Sequence, residues 1–296
     1  MITLKKFFLG ILVLLSAVRP AAAQDLLDML DDGPVTDYAY GTFKTTRVVL
    51  NHSIQNPAPG ELVFIISHHF GKINEGPYTL FGLDQATIRL GLEYGLTEHI
   101  SLGIGRGTYK KLFDGHLKAK LLRQSSGARN MPVSVSYFGS VGVNSLEWQY
   151  PERENYFSSR LSYVHQLLIA SKLNNSLSVQ IIPTVVHRNL VPLKKDQNTV
   201  LAMGAGGRVK LTQRITLNAE YFYLLPGKTA DDFDNSLSIG FDIETGGHVF
   251  QLFFTNSNPI TEHGYITETI GRWDKGEVYF GFNITRVFTL KKPSLD

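Results

Sequence analysis

The chain has 296 residues, of which 19% are charged and 11% aromatic, with 27 glycines and no cysteine. The missing cysteine excludes a disulfide scaffold and any thiolate metal site. Twenty-nine basic residues face 26 acidic ones without a basic run, so charge gives no reason to expect a nucleic-acid partner.

Residues 1–23 read as an export signal: Lys5 and Lys6 precede an apolar stretch from Phe7 to Val18, and Ala21-Ala22-Ala23 gives a small-x-small cleavage pattern. Cleavage before Gln24 would also remove Arg19, leaving 26 basic residues against 26 acidic ones. After this stretch no apolar run approaches eighteen residues, so a spanning helix is excluded and membrane insertion would have to use strands.

Residues 24–59 form an N-terminal segment, either periplasmic or folded into the barrel as a plug. Its start, Gln24 to Asp32, places four aspartates around Leu26, Leu27, Met29 and Leu30, an acidic tail or a short amphipathic helix. Thr36 to Gly60 is irregular, and Phe43 to Leu50 is either an extra strand or a piece folded into a barrel mouth.

From residue 60 to 289 the sequence turns into strands. Between Asp84 and Tyr94, Ala86, Ile88, Leu90, Leu92 and Tyr94 share one face, while Gln85, Thr87, Arg89, Gly91 and Glu93 share the other. Alternation of this length is a half-buried strand. It recurs around Val133–Asn144, Ile215–Tyr223, Ser236–Glu244 and Val278–Thr285. Glu61 opens a strand that is apolar on both faces. Three connections share a pattern: Leu96-Thr97-Glu98-His99-Ile100-Ser101, Leu173-Asn174-Asn175-Ser176-Leu177-Ser178 and Leu211-Thr212-Gln213-Arg214-Ile215-Thr216. Short turns also fall at Ser125–Asn130 and Thr245–His248. Six longer, polar connections alternate with these five turns, which predicts an all-β, up-and-down antiparallel transmembrane barrel of about twelve strands with short periplasmic turns and longer outer loops. Phe280, Phe282, Ile284 and Phe288 end the last strand as an aromatic closing signal for the barrel-assembly machinery, and residues 290–296 follow as a tail. Outer-membrane lipids and this machinery are the expected partners, with small solutes as candidate cargo.

The runs Ile66-Ser67-His68-His69-Phe70-Gly71, Leu80–Gly91, Gly103-Ile104-Gly105-Arg106 and Asp114-Gly115, the last followed by Lys118 to Gln124, resemble a family of Gram-negative outer-membrane β-barrel proteins catalogued as a domain of unknown function. The resemblance implies a barrel in the outer membrane and carries no activity with it.

With apolar faces toward lipid, the inward charges are Arg89, Glu93, Lys118, Lys120, Arg160, Arg188, Arg208, Lys210, Glu220, Asp242 and Glu244. Two readings are open: a transverse field that selects solutes in a narrow channel, or mutual pairing that fills a closed interior. Arg106 breaks the alternation and is expected to snorkel outward to the headgroups. The functional expectation is a narrow channel or small-solute transporter; the alternatives are a lipid-acting hydrolase and a closed docking barrel. A hydrolase would need Ser67 with His68 or His69, or else Asn51-His52-Ser53, but adjacent strand residues point apart, and no catalytic residue is assigned. The histidines are scattered, so no metal site is expected, and Gly204-Ala205-Gly206-Gly207 lies in a strand and not in a phosphate-cradling loop. No cofactor is expected.

Overall fold

The computed structural model describes residues 35–191, 193–226 and 233–291. The export signal, the acidic stretch Gln24–Asp32 and residues 292–296 therefore lie outside the described residues.

The strands, in chain order, are β1 (Thr36–Tyr38), β2 (Glu61–Lys72), β3 (Thr87–Gly95), β4 (Ile100–Gly107), β5 (Phe113–Leu122), β6 (Ser125–Gly127), β7 (Ser134–Val143), β8 (Leu161–Lys172), β9 (Leu177–Arg188), β10 (Thr199–Lys210), β11 (Ile215–Leu224), β12 (Ser236–Thr245), β13 (His248–Thr255) and β14 (Tyr279–Thr289). Among the described residues, β2–β5 and β7–β14 form one closed barrel of twelve strands, each paired antiparallel with its neighbours in sequence. It closes where β14 pairs with β2, with Ile284 opposite Ile66 and Phe288 opposite Leu62. Closure leaves no open edge, as the hydrocarbon of a bilayer requires. β1 and β6 pair beside the barrel, with Asp37 opposite Ser126.

Alternation sets the two faces of the wall. Leu90, Leu92, Leu102, Ile104, Ile181, Tyr221, Phe241 and Phe254 are exposed on the outside, Ile104 by 63%. A continuous belt of such residues is unfavourable in water and is matched by lipid tails. Arg106 lies on this outer face, its guanidinium 5.1 Å from the centre of the Phe113 ring.

The repeated turn pattern has a common mechanism. Thr97 Oγ1 accepts the backbone N–H groups of His99 and Ile100 at 3.2 and 3.0 Å, and Thr212 Oγ1 accepts those of Arg214 and Ile215 at 3.3 and 3.0 Å. Asn174 Oδ1 accepts those of Ser176 and Leu177, both at 2.8 Å. In each turn a short polar side chain stands in for a backbone acceptor, which is why Thr or Asn recurs at that position.

The interior holds two insertions. Residues 42–56 enter from the short-turn rim and fold into a small hairpin, in which Val48 N–H donates to Asn51 O at 2.8 Å, Ser53 N–H donates to Thr46 O at 2.9 Å, and Arg47 bridges His52. The connection between β13 and β14 enters from the long-loop rim and carries a buried helix, α1 (Glu262–Thr267). The two meet where the Tyr265 hydroxyl donates to Asn51 Oδ1 at 2.6 Å and Arg47 Nη1 donates to Glu262 Oε1 at 2.9 Å.

Candidate functional site

The hairpin tip is held by its backbone. The Glu220 carboxylate on β11 accepts three backbone N–H groups, from Val49 at 3.2 Å, Leu50 at 2.8 Å and Asn51 at 3.1 Å. The tip carbonyls accept from amide side chains of the wall: Val48 O from Gln251 at 3.3 Å, Val49 O from Asn283 at 3.0 Å and His52 O from Gln180 at 2.8 Å. Gln166 donates to Asn51 Oδ1 at 2.8 Å. Buried backbone groups need such partners. One glutamate and several amides, spread over β8, β9, β11, β13 and β14, therefore form a template for a single irregular segment. Lys118 Nζ adds to it by donating to Ser53 O at 3.2 Å and to Gln55 O.

Apolar contacts fix the same segment from one side. Phe43, Val48, Val49, Leu50 and Ile54 pack with Phe138, Val164, Leu168, Ile182, Val186, Phe222 and Phe253 of the wall and with Tyr265 and Ile266 of α1. These wall residues belong mainly to β7–β11.

The opposite side, β3–β5, is charged. Its middle strand β4 presents Ser101, Gly103, Gly105 and Gly107 inward, so the lumen face of β4 is almost bare. Glu93 on β3, Gly103 on β4 and His116 on β5 lie on one rung of the sheet. Strands two apart are about 10 Å from each other, and side chains meet across that gap only because the glycines leave it open. Arg89 reaches across β4 to Asp114 in a two-pronged pair at 2.9 and 2.5 Å. Glu93 Oε1 lies 3.9 Å from His116 Nε2, and a methyl group at Gly103 would overlap the His116 ring. Arg47 of the hairpin caps the cluster, with Nη2 3.1 Å from Glu93 Oε1 and Nη1 on Glu262. His52 stands against His116, ring centres 4.5 Å apart.

The residues singled out from the sequence separate into three groups. Arg89, Glu93, Lys118 and Glu220 converge on the hairpin, and Asp242 lies inside the barrel, accepting from Thr216 at 3.1 Å and Gln251 at 2.8 Å. Lys120 stands nearer the short-turn rim beside Arg123 and Glu98, and Glu244 pairs there with Lys44. Lys210 is exposed, and Arg208 donates to Gly41 O at 2.9 Å. Arg160 lies in the connection before β8, over the Trp148 ring at 3.8 Å, and donates to Asn144 O and Leu146 O at 2.7 and 2.6 Å. Arg188 approaches Glu268 at 3.6 Å.

Ser67 and His69 face inward and His68 faces out, stacked on Phe282 at 5.1 Å. His69 Nδ1 is engaged by Asn258 O at 2.9 Å, and Ser67 lies in register with Arg89 and Asn283. In the second serine–histidine candidate, Ser53 Oγ donates to Thr45 O at 2.6 Å.

Glu268, following α1, joins the inserted loop to the rim: Lys110 Nζ lies 2.7 Å away and Tyr109 OH 3.2 Å. Burial pushes its carboxyl pKa up, but Lys110, His263 and Arg188 outweigh burial and hold it below the usual value. His263 is pushed down to about 4, chiefly by burial.

Sequence reasoning did not find Arg47, His116 or Glu262; it weighed His52 only as part of a serine–histidine pair and met Asp114 only within the family resemblance. The glycine alternation in Ile100–Gly107 was the available signal: a strand stripped of side chains on one face has neighbours that reach across it.

A closed antiparallel barrel with a lipid-facing belt defines a membrane-spanning β-barrel of the outer-membrane kind. The chain belongs to the family described as "Membrane bound beta barrel domain" (DUF5777), whose model matches residues 43–288; the protein is an outer-membrane barrel. No curated protein matches it by sequence. Among solved structures it is similar to the NanC porin (7% identity, TM-score 0.47, covering 78% of this chain and 100% of that one). It is also similar to an outer-membrane channel from Pseudomonas putida F1 (11%, 0.46, 79% and 97%) and to outer membrane phospholipase A from Escherichia coli (10%, 0.44, 82% and 98%).

Proposed function

We propose that this protein is a gated small-solute channel of the outer membrane, closed at rest by the hairpin 42–56. The supporting observation is the way the hairpin is held. Glu220, Gln251, Asn283, Gln180 and Lys118 bind its backbone, and Arg47 joins it to Glu93 and Glu262 by ion pairs. A barrel filled only for rigidity satisfies its inward groups with one another. Here Arg89 and Asp114, and Asp242 and Gln251, do pair within the wall, but Glu220, Gln180, Asn283 and Lys118 are aimed at a separate segment and remain hydratable once it leaves. The path opened when the hairpin leaves and frees α1, to which Arg47 and Asn51 tie it, runs past Arg89, Glu93, Lys118, Glu220 and Asp242, charges of both signs that would order a dipolar solute.

The test is conductance in a planar bilayer. The refolded wild type is expected to be silent, and a combined Arg47→Ala, Glu220→Ala variant is expected to show discrete steps. Because the chain has no cysteine, a Ser53→Cys probe reports release of the hairpin: buried and unreactive at rest, labelled by a polar thiol reagent when the hairpin moves. Labelling without conductance would overturn the channel reading in favour of a closed docking barrel.

A further inference from the structure

Three ring nitrogens in the charged half of the lumen have no hydrogen-bond partner among the described residues: His52 Nδ1, His52 Nε2 and His116 Nε2. His52 is fully buried and His116 is 8% exposed. Buried polar atoms without partners are rare in folded proteins, and a bound ion or water is the usual reason for them. Here two of the three converge on one carboxylate. His52 Nδ1 and His116 Nε2 each lie 3.9 Å from Glu93 Oε1, and the three ligand atoms fall within 4.8 Å of one another.

We propose that His52, Glu93 and His116 form a binding site for a divalent transition-metal ion of the zinc class, set between the hairpin and the barrel wall. Two imidazoles and a carboxylate are a ligand set for such ions, with bonds of about 2.0–2.2 Å and a fourth position left for water. Ligand atoms around a tetrahedral ion sit about 3.4 Å apart. The three groups need therefore close by about 0.5 to 1.4 Å, within reach of side-chain rotations.

The surroundings suit the site. His52 Nε2 points to Glu262 Oε1 at 3.5 Å, so a proton on that nitrogen leaves the Nδ1 lone pair facing Glu93. A carboxylate behind a ligating histidine is the outer-shell arrangement that fixes its tautomer. The Phe138 ring lies 4.3 Å from His52 and 5.4 Å from His116, shielding them with an apolar wall. Gly103 supplies the room in which the His116 ring lies. Arg47 occupies one lone pair of Glu93 Oε1, and a carboxylate oxygen has a second. Arg47, Arg89 and Lys118 are balanced by Glu93, Asp114 and Glu262, so the ion would enter a neutral cluster.

One ligand comes from the hairpin and two from the wall, so bound metal would fasten the closed state. The site itself does not depend on the channel reading, because its ligands are together in the closed barrel.

The experiment uses the untagged, refolded full barrel, stripped with chelator and titrated with Co²⁺ by visible absorption and with Zn²⁺ by calorimetry. One ion per chain is expected, and X-ray absorption of the zinc-loaded protein should show two imidazoles and oxygen ligands. His116→Ala and Glu93→Gln are expected to weaken binding at least about a hundredfold, whereas His165→Ala, on the outer face, should leave it unchanged. Absence of stoichiometric binding to the folded wild type would overturn the proposal, as would binding that survives both substitutions in barrels that still show a heat-dependent gel shift. If those variants do not fold, the X-ray absorption spectrum decides alone: zinc without histidine ligands sinks the site.

Discussion

The two sides of the lumen hold the same hairpin by different physics. On the β7–β11 side, Phe138, Leu168, Ile182, Val186 and Phe222 bury Val48, Val49 and Leu50, and the uncharged amides Gln166 and Gln180 and the carboxylate of Glu220 hold the tip backbone and Asn51 without an ion pair. On the β3–β5 side, a glycine-lined strand lets Arg89, Asp114, Glu93 and His116 reach across it and meet Arg47. Apolar packing tolerates a sliding segment, whereas buried ion pairs fix one position and are costly when halved. Apolar burial and the bonds to the tip backbone therefore come mainly from one wall, and the buried ion pairs that anchor Arg47 come from the other.

Removing Arg47 should have the largest effect. It would leave Glu93 and Glu262 buried without their guanidinium, at a cost of about 3–5 kcal/mol. The expected result is a large rise in the labelling rate of Ser53→Cys with the barrel still intact by gel shift. Leu168→Ala, on the opposite wall, should cost about 2–5 kcal/mol through the cavity it leaves. It is expected to lower the unfolding midpoint in denaturant while leaving the conformation around Arg47 unchanged. If Leu168→Ala releases the hairpin more readily than Arg47→Ala does, the ion pairs of the charged wall are not its main anchor.

Glu220→Ala comes next: it orphans three backbone N–H groups, but water entering the space the carboxylate vacates re-satisfies most of them and leaves the net loss below that of Arg47→Ala. Glu220→Gln keeps an acceptor and should recover most of the loss, measured by hydrogen exchange at Val49, Leu50 and Asn51. A smaller effect, about 1–3 kcal/mol, is expected for Gly103→Ala, which forces the His116 ring aside. Its signature is local: altered His116 resonances with little change in the apolar wall.

The smallest effect is a pH dependence at the rim. Glu268 is held below its ordinary value of 4.5, with burial opposed and outweighed by Lys110, His263 and Arg188, and Tyr109 donating to it. A depressed carboxyl contributes stability that is complete above the unfolded value and lost as pH falls through the folded one. Acidification below about 4.5 should loosen the contact between residues 108–112 and the segment after α1. Hydrogen exchange there should show it, and Lys110→Met should flatten the response. No change with pH would mean that the ion pair contributes nothing measurable, as exposed pairs often do.

Much of the wall was legible from the residues. The alternation from Asp84 to Tyr94, the Leu-Thr/Asn turns and the six long connections give the strand order, the face of each side chain and the closed barrel, because strand periodicity and turn chemistry act over a few residues. The sequence also placed Arg89, Glu93, Lys118 and Glu220 on the inner face. It did not give their partners. Asn51-His52-Ser53 and Glu262–Thr267 have no periodicity of their own, and the loop Asn256–Gly276 reads as polar and external although α1 is buried. β8 hides its inward Val164 and Leu168 in a run that is apolar on both faces, so the packing wall for the hairpin does not stand out.

The sequence by itself therefore determined a lipid-facing barrel of about twelve strands and put Arg89, Glu93, Lys118, Glu220 and Asp242 on its inner face, while Lys210, expected there too, is exposed and Arg160 lies in the connection before β8. Only the tertiary structure decided that two irregular segments, one from each rim, fill that interior. It alone brought His52 to Glu93 and His116, since these contacts join residues more than twenty positions apart through closure of the barrel and carry no local pattern.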